Sequence, residues 1–329
     1  MTHNLLIGVG AGLVSALLFG VLLKGSALAI TLYLLAPLPI LIVGLGWSHR
    51  AALAAAATGC LVLMAVIQPF MGLAFAAYIA LPAWWLAYLT VLGRETASGL
   101  EWYPTGRLLG WIAATAALAF IAIAVLANPN YTAYEVQLQK LSHGLVDSRS
   151  PAPGPSPDAG PAGADKSTPD KDQSDGDVSR DELATAFAAI VPALAAHGLA
   201  MLLTFYLWAA ARIVGISGRL LRPWPDLPST KMPKACLGVL AAAAILSFAP
   251  GFAGVLGVAL VGAFTAVFAL QGLAAFHDRS RGRPGRGLML FAMYVVLFVT
   301  QGVALIALTI FGLADTALDR RRPKGPAAP

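Results

Sequence analysis

The chain has few charged side chains and only two cysteines. Asp, Glu, Lys and Arg make up 12% of the 329 residues, whereas a soluble domain carries about 25%. Cys60 and Cys236 lie far apart inside apolar runs, and neither has the CxxC or Cys/His spacing of a zinc site. The sequence also lacks a Walker motif. We therefore predict no metal site, no disulfide framework and no bound cofactor.

The positive charge does not indicate a nucleic-acid partner. The net charge is +6, but the basic residues lie in short connectors between apolar runs and form no stripe on a soluble fold. With 58% hydrophobic residues and a mean hydropathy of +0.75, the composition is typical of a polytopic membrane protein. The lipid bilayer is thus the first predicted partner.

Nine apolar runs are candidate membrane helices. None alternates like a barrel strand, and backbone polar groups in lipid must be paired within their own segment, so the runs predict helices. We expect an all-α, polytopic helical bundle with eight or nine spans. The runs are residues 5–23, 27–46, 51–67, 70–92, 108–127, 183–211, 235–249, 252–276 and 288–314.

The connectors between these runs differ in charge. If every run crosses, twelve Lys and Arg residues fall on one side, and Lys24 alone lies in the opposite short connectors. Basic connectors stay in the cytoplasm, so the N-terminus is predicted to be cytoplasmic. Nine crossings would place the basic residues 320–322 outside, against the same rule. Run 235–249 is short enough to be either a span or a re-entrant half-helix.

Composition divides the chain into five parts. Membrane helices are predicted over residues 1–127 and again over 181–318. Between them, 128–146 has the spacing of an amphipathic surface helix, and 147–180 is a Pro- and Asp-rich segment predicted to be disordered. Residues 319–329 form a basic, proline-containing tail.

Three polar side chains inside the runs are candidates for substrate contact or for bridging helices. His197 stands near the middle of its run, where an ionisable group is often functional, although a neutral imidazole bonded to a neighbouring helix is the simpler interpretation. Gln271 and Gln301 share a Phe-x-x-Gln-Gly-x-Ala pattern but lie at different depths, so we expect each to bridge helices separately.

Two features of the first runs concern the backbone. Pro37 and Pro39 interrupt the second run, and a broken helix frees carbonyls that a ligand site can use, although a simple kink gives the same pattern. Gly8 and Gly12 have the GxxxG spacing that allows two helices to approach closely.

The basic connectors supply a second group of candidates, for contact with a cytoplasmic partner or with lipid headgroups. They are Arg219, Arg222, Trp224, Arg279, Arg281 and Arg283.

The runs themselves contain no Asp or Glu. Ion-driven pumps usually bury such a carboxylate in the ion path, and acid–base hydrolysis also needs one. We therefore expect neither an ion-driven pump nor an enzyme.

Four segments carry a family resemblance: residues 35–44, 217–227, 271–277 and 312–320. Through them the chain resembles the YybS-like predicted membrane proteins of bacteria, also described as domain of unknown function 2232, over nearly its whole length outside the linker. The resemblance implies a bacterial inner membrane location and no particular activity. More distantly, the proline-broken early segment and small-residue first helix are similar to the substrate-binding subunits of energy-coupling-factor transporters, although this chain is longer and carries an acidic linker.

Two functions remain open. The first is a substrate-binding or transport subunit without its own motor, which depends on the broken second run and the buried neutral polar groups. The second is a structural or assembly protein that binds partners through its arginine-rich cytoplasmic loops.

Overall fold

Apolar helices form nearly all of the secondary structure in the computed structural model, which describes residues 2–97, 99–149, 171–300, 302–319 and 321. The helices in chain order are α1 (Thr2–Gly20), α2 (Ala27–Leu34), α3 (Pro37–Gly46), α4 (His49–Val66), α5 (Pro69–Phe75), α6 (Leu81–Thr90), α7 (Thr105–Ala127), α8 (Tyr131–Arg149), α9 (Lys171–Ile216), α10 (Ala235–Leu246), α11 (Phe252–Arg279), α12 (Arg286–Val299) and α13 (Val303–Leu318). Within the described residues the one sheet is an antiparallel hairpin of β1 (Gly93–Thr96) and β2 (Gly99–Trp102).

Seven helical segments of the described chain are long and apolar enough to cross a membrane, and this confirms the predicted helical membrane fold. One of them joins α2 to α3, and another joins α5 to α6 through a π-helical turn at Ala76–Ala80. Three further apolar helices, α10, α12 and α13, are shorter. The seven segments are Thr2–Lys24, Ala27–Gly46, His49–Val66, Pro69–Thr90, Thr105–Ala127, Asp181–Ile216 and Phe252–Arg279.

The last predicted run, residues 288–314, is wrong as a single helix. The chain breaks between α12 and α13, where Gly302 has a φ of 99° that other residues rarely adopt. The hydroxyl of Thr300 then accepts a hydrogen bond from the Ala304 N–H at 3.2 Å, near the start of α13. The run is therefore two short helices that change direction at this break.

The direction of α13 resolves the conflict over the C-terminal charges. Thr309 donates to the Thr265 carbonyl at 3.1 Å, and six residues further along both helices Asp315 contacts Gln271, so α13 runs parallel to α11. The chain consequently returns to the end at which α11 terminates. There the Arg321 guanidinium donates to the Pro228 carbonyl at 2.8 Å, which places Arg321 beside the loop that follows α9.

The segment predicted as a surface helix packs partly on the bundle. In α8, the rings of Tyr131 and Tyr134 each lie 5.6 Å from Phe252 at the start of α11, whereas Leu141 is exposed. Of the predicted disordered linker, residues 150–170 lie outside the described part of the chain. On either side of that gap, the backbone is helical up to Arg149 and again from Lys171.

Small residues determine how closely the helices pack. A methyl group on Gly8 would meet the carbonyl oxygen of Ala51, and one on Gly12 would meet that of Ala55, so α1 and α4 touch backbone to backbone. Gly272 and Gly312 make the same kind of contact between α11 and α13. Helices in lipid gain little from hydrophobic burial against each other, so such close approach supplies much of their association.

We predict that Gly12→Ala destabilises the bundle. The new methyl group would collide with the carbonyl oxygen of Ala55, and overpacking of this kind costs about 1–3 kcal/mol. Gly10→Ala on the same helix is the matched control, because nothing lies within 4 Å of the added methyl group. Thermal unfolding in detergent should show a lower midpoint for the first variant alone, and equal midpoints would contradict the close α1–α4 contact.

Candidate functional site

One end of the bundle collects most of the basic loop residues. We define this basic face by Trp47, Thr90, Thr105 and residues 217–234, 279–286, 319 and 321. Arg219 stacks 4.7 Å above the ring of Trp47, and the hydroxyls of Thr105 and Thr230 lie 3.3 Å apart. Arg281 pairs with Asp226 across the two longest basic loops. These contacts bring the ends of α3, α9 and α11 to the same side as the start of α7.

Asp315 is the centre of a buried ionic cluster on this face. Its carboxylate lies 2.9 Å from Arg321 Nε, accepts from Gln271 Nε2 at 2.8 Å and accepts from Arg279 Nη2 at 3.3 Å. The side chains of Asp315 and Arg321 are only 1% and 3% exposed. The cluster connects α11, α13 and the tail, and through the Pro228 carbonyl it also contacts the loop after α9.

This carboxylate corrects the expectation that the apolar segments contain no Asp or Glu. The predicted last run ended at residue 314, one position before Asp315, whereas α13 continues to Leu318. Three cationic or amide donors compensate for the burial of the charge, so a carboxylate is tolerated inside the helix. The same contacts place Gln271 in a bridge between α11 and α13.

A cavity of about 580 Å³ lies immediately beneath the loop that follows α9. Its walls come from α7, α9 and α11, and the loop covers it on the side of the basic face. Most of the lining is aliphatic or aromatic. Its apolar side chains include Ile112, Met201, Phe205, Trp208, Leu270 and Ala274.

Arg222 is the cationic side chain of this lining. It is 9% exposed, and its Nη1 donates to the Thr90 carbonyl at 3.2 Å. Among the described residues no carboxylate lies within ion-pairing distance of it. Burial away from water lowers the pKa of the Arg222 guanidinium below its ordinary value, but an arginine remains charged. The wall therefore contains a positive charge without a counter-charge.

The other loop candidates turn toward the protein. Trp224 lines the cavity, and the Arg212 guanidinium lies 5.0 Å from the centre of its ring. Arg279 contacts Asp315 and stacks 5.1 Å above Phe311. Arg281 pairs with Asp226, whereas Arg283 is exposed.

The remaining candidates lie away from the cavity. His197 Nδ1 is 3.2 Å from the hydroxyl of Thr265, so it bridges α9 and α11. At the break marked by Pro37 and Pro39, the buried Ser15 hydroxyl donates to the Ala36 carbonyl at 2.6 Å, so α1 packs against the break. Gln301 lies outside the described residues. A functional role for these side chains stays a prediction.

We predict that Asp315→Asn is strongly destabilising. Removing one partner of a buried ion pair leaves the other charge uncompensated, at a cost of about 3–5 kcal/mol. The control is Glu101→Gln, which breaks the Arg94–Glu101 pair on the exposed hairpin, where a pair contributes about 0–1 kcal/mol. Thermal unfolding in detergent should separate the two variants clearly. Similar small losses in both would mean that the cluster does not stabilise the fold.

Comparison with known proteins agrees with this architecture. A family model described as "Predicted membrane protein (DUF2232)" matches residues 163–316, which include the cavity loop, α10 to α12 and three members of the ionic cluster, Gln271, Arg279 and Asp315. No curated protein and no solved structure matches the chain. The match covers just under half of the chain and agrees with the resemblance seen in the sequence: residues 163–316 are similar to the DUF2232 family of predicted membrane proteins.

Proposed function

We propose that this membrane protein binds a small apolar or amphipathic molecule and serves as the binding subunit of a transport system without a motor of its own. The cavity under the loop after α9 is the observation that carries the proposal. Its volume of about 580 Å³ falls within the range of about 300–1,000 Å³ that is usual for ligand pockets. Its mostly apolar lining, with a few polar groups at one end, is also typical of such pockets.

The position of the cavity supports entry from the lipid. Phe205 and Trp208 line the cavity and are also 54% and 47% exposed on the outside of the bundle. The outside of a membrane bundle faces hydrocarbon, so an apolar molecule reaches the cavity between α7, α9 and α11 without passing through water.

The absence of a Walker motif from the sequence supports a subunit that depends on another protein for energy. The distant likeness to substrate-binding subunits of energy-coupling-factor transporters points the same way. The proposal includes the expectation that the protein is not an enzyme.

The alternative function, a scaffold that binds partners through its arginine loops, is less well supported. A docking surface needs arginines that are free to meet a partner. Arg219 instead stacks on Trp47, Arg281 pairs with Asp226, and Arg222 is buried in the cavity wall. The loops are therefore engaged chiefly with the bundle itself.

The proposal also assigns an orientation. We place the basic face in the cytoplasm of a bacterium and the bundle in its inner membrane, because positively charged connectors remain on the cytoplasmic side. The first turns of α1 lie at this face, since Gly8 packs on Ala51 near the start of α4. The N-terminus is then cytoplasmic.

Filling the cavity should remove a ligand that co-purifies with the protein. Ala211 and Ala274 both line the cavity, so Ala211→Phe and Ala274→Phe place a ring in its volume. The control is Ala209→Phe, at a half-buried position of α9 that is not part of the lining. Mass spectrometry of extracts from protein purified in mild detergent should detect a small molecule with wild type and control, but not with the two cavity variants. A stoichiometric protein partner without any small molecule would favour the scaffold instead.

Cysteine labelling should test the orientation. In a variant lacking Cys60 and Cys236, a single cysteine at the exposed Ser229 should resist a membrane-impermeant thiol reagent in intact cells. A cysteine at the exposed Pro250, in the turn between α10 and α11 at the other end of the bundle, should react. The reverse pattern would overturn the assignment of the basic face to the cytoplasm.

A further inference from the structure

The cavity beneath the loop after α9 has one strongly polar group in an otherwise apolar wall. Arg222 is about nine-tenths buried. Within the described chain its guanidinium has one protein partner, the Thr90 carbonyl, to which Nη1 donates. A guanidinium has five N–H donors, so most of its hydrogen-bonding capacity remains available. A buried charge without a counter-charge is costly, and a site of this kind is completed by an anion.

The other polar groups of the lining do not compete for that anion. The Thr204 hydroxyl donates to the Ala200 carbonyl at 2.8 Å, and the Thr90 hydroxyl donates to the Leu86 carbonyl at 2.7 Å. His277 is engaged with the Tyr294 hydroxyl at 2.9 Å. Asp226, the acidic residue of the same loop, pairs with Arg281. Besides the neutral indole N–H groups of Trp208 and Trp224, the donors left for an anion are those of Arg222, and these carry the charge.

A second cation stands at the edge of the cavity near Arg222. Arg212, at the end of α9, stacks on the ring of Trp224, and that ring is part of the lining. The stacking leaves the charge of Arg212 uncompensated by a carboxylate among the described residues. The end of the cavity at the basic face is thus positive.

The opposite end of the cavity is apolar. Along α9 the lining extends from Ala211 at the positive end to Met201, ten residues away. That separation corresponds to about 15 Å of helix, which is half of the ~30 Å hydrocarbon core of a bilayer. At the deep end Met201 is joined by Ile112 and Leu270. The cavity thus has a charged end at the level of the loops and an apolar depth that matches one leaflet.

We propose that the cavity binds an anionic amphiphile, with its carboxylate or phosphate ester paired to Arg222 and its hydrocarbon chain lying along α9 toward Met201. This assignment rests on the proposed binding function and specifies the class of its ligand. The anion satisfies the free donors of Arg222, and the chain fills the apolar volume, which a free inorganic anion would leave empty. The positive charge of Arg212 attracts the anionic group of the ligand at the edge of the cavity.

The test compares ligands that share a chain and differ in charge. Palmitate and hexadecanol are titrated into the full-length protein in nonionic detergent, with the fluorescence of Trp208 and Trp224 in the cavity wall as the signal. Wild type should bind palmitate at least about tenfold more tightly than hexadecanol, because charge-assisted hydrogen bonds are roughly twice as strong as neutral ones. Equal affinities would overturn the proposal.

Variants of the arginine assign the charge preference to one residue. Arg222→Gln should weaken palmitate far more than hexadecanol and so remove the preference, and Arg222→Lys should retain part of it, because Lys keeps the charge but not the two-pronged geometry. The matched control is Arg283→Gln, an exposed arginine on the same face that should behave as wild type. A melting curve for each variant separates a loss of the preference from a loss of folding. A preference that persists in folded Arg222→Gln would refute the assignment.

Three further arms complete the experiment. Inorganic phosphate should bind far more weakly than palmitate. If phosphate bound equally well through Arg222, the site would be a simple anion site, and the proposal of an amphiphilic ligand would be wrong.

The source of the ligand is tested by displacement. If phosphatidylglycerol displaces palmitate and phosphatidylcholine does not, the proposal holds with a membrane lipid as the source. If palmitate binds without such displacement, the proposal holds with a free long-chain acid as the source. If Ala211→Phe abolishes hexadecanol binding although wild type shows no charge preference, the binding function stands and the anionic assignment fails. If Ala211→Phe affects neither probe, the binding function fails as well.

Discussion

The burial of one carboxylate determines how the C-terminal half is assembled. Asp315 needs compensation for its charge, and it receives this from Gln271 and Arg279 on α11 and from Arg321 beyond the end of α13. Satisfying it requires α13 to lie parallel to α11 and Arg321 to turn back toward the bundle. Because Arg321 also binds the Pro228 carbonyl, the same interaction fixes the loop that covers the cavity. The shape of the cavity therefore depends on an ion pair that does not line it.

The basic loops illustrate how one residue type serves two purposes. During insertion, arginines in the connectors orient the helices, and this purpose needs only their charge. In the folded chain their geometry matters as well, since Arg219 stacks on an indole, Arg281 bridges two loops and Arg222 enters the wall of the cavity. Exchanging arginine for lysine at these positions would preserve the orientation but lose the stacking and the forked hydrogen bonds.

The sequence correctly predicted the parts of the structure that depend on local composition. Long apolar runs indicated the membrane helices, and the Gly8–Gly12 spacing identified the side of α1 that touches α4 backbone to backbone. The sequence-based predictions were wrong where a single residue within an unbroken apolar run determines where a helix ends. The turn at Gly302 interrupts a run whose hydrophobicity does not change, and Asp315 was counted outside a helix that includes it. The cavity could not be foreseen either, because its walls come from segments more than a hundred residues apart, such as Thr90 and Arg222, and only tertiary packing brings them together.

The short helices have a consequence for the surrounding membrane. α10, α12 and α13 contain 12, 14 and 16 residues, so they span about 18–24 Å at ~1.5 Å per residue, less than the ~30 Å of an average hydrocarbon core. All three belong to the C-terminal half, whereas the first half is built from full-length segments. A bilayer adapts to short apolar segments by thinning locally or by drawing in their flanking residues. We therefore expect the bilayer to be thinner beside α10, α12 and α13 than beside the full-length segments. A polar headgroup has a shorter apolar distance to travel there than anywhere else around the bundle.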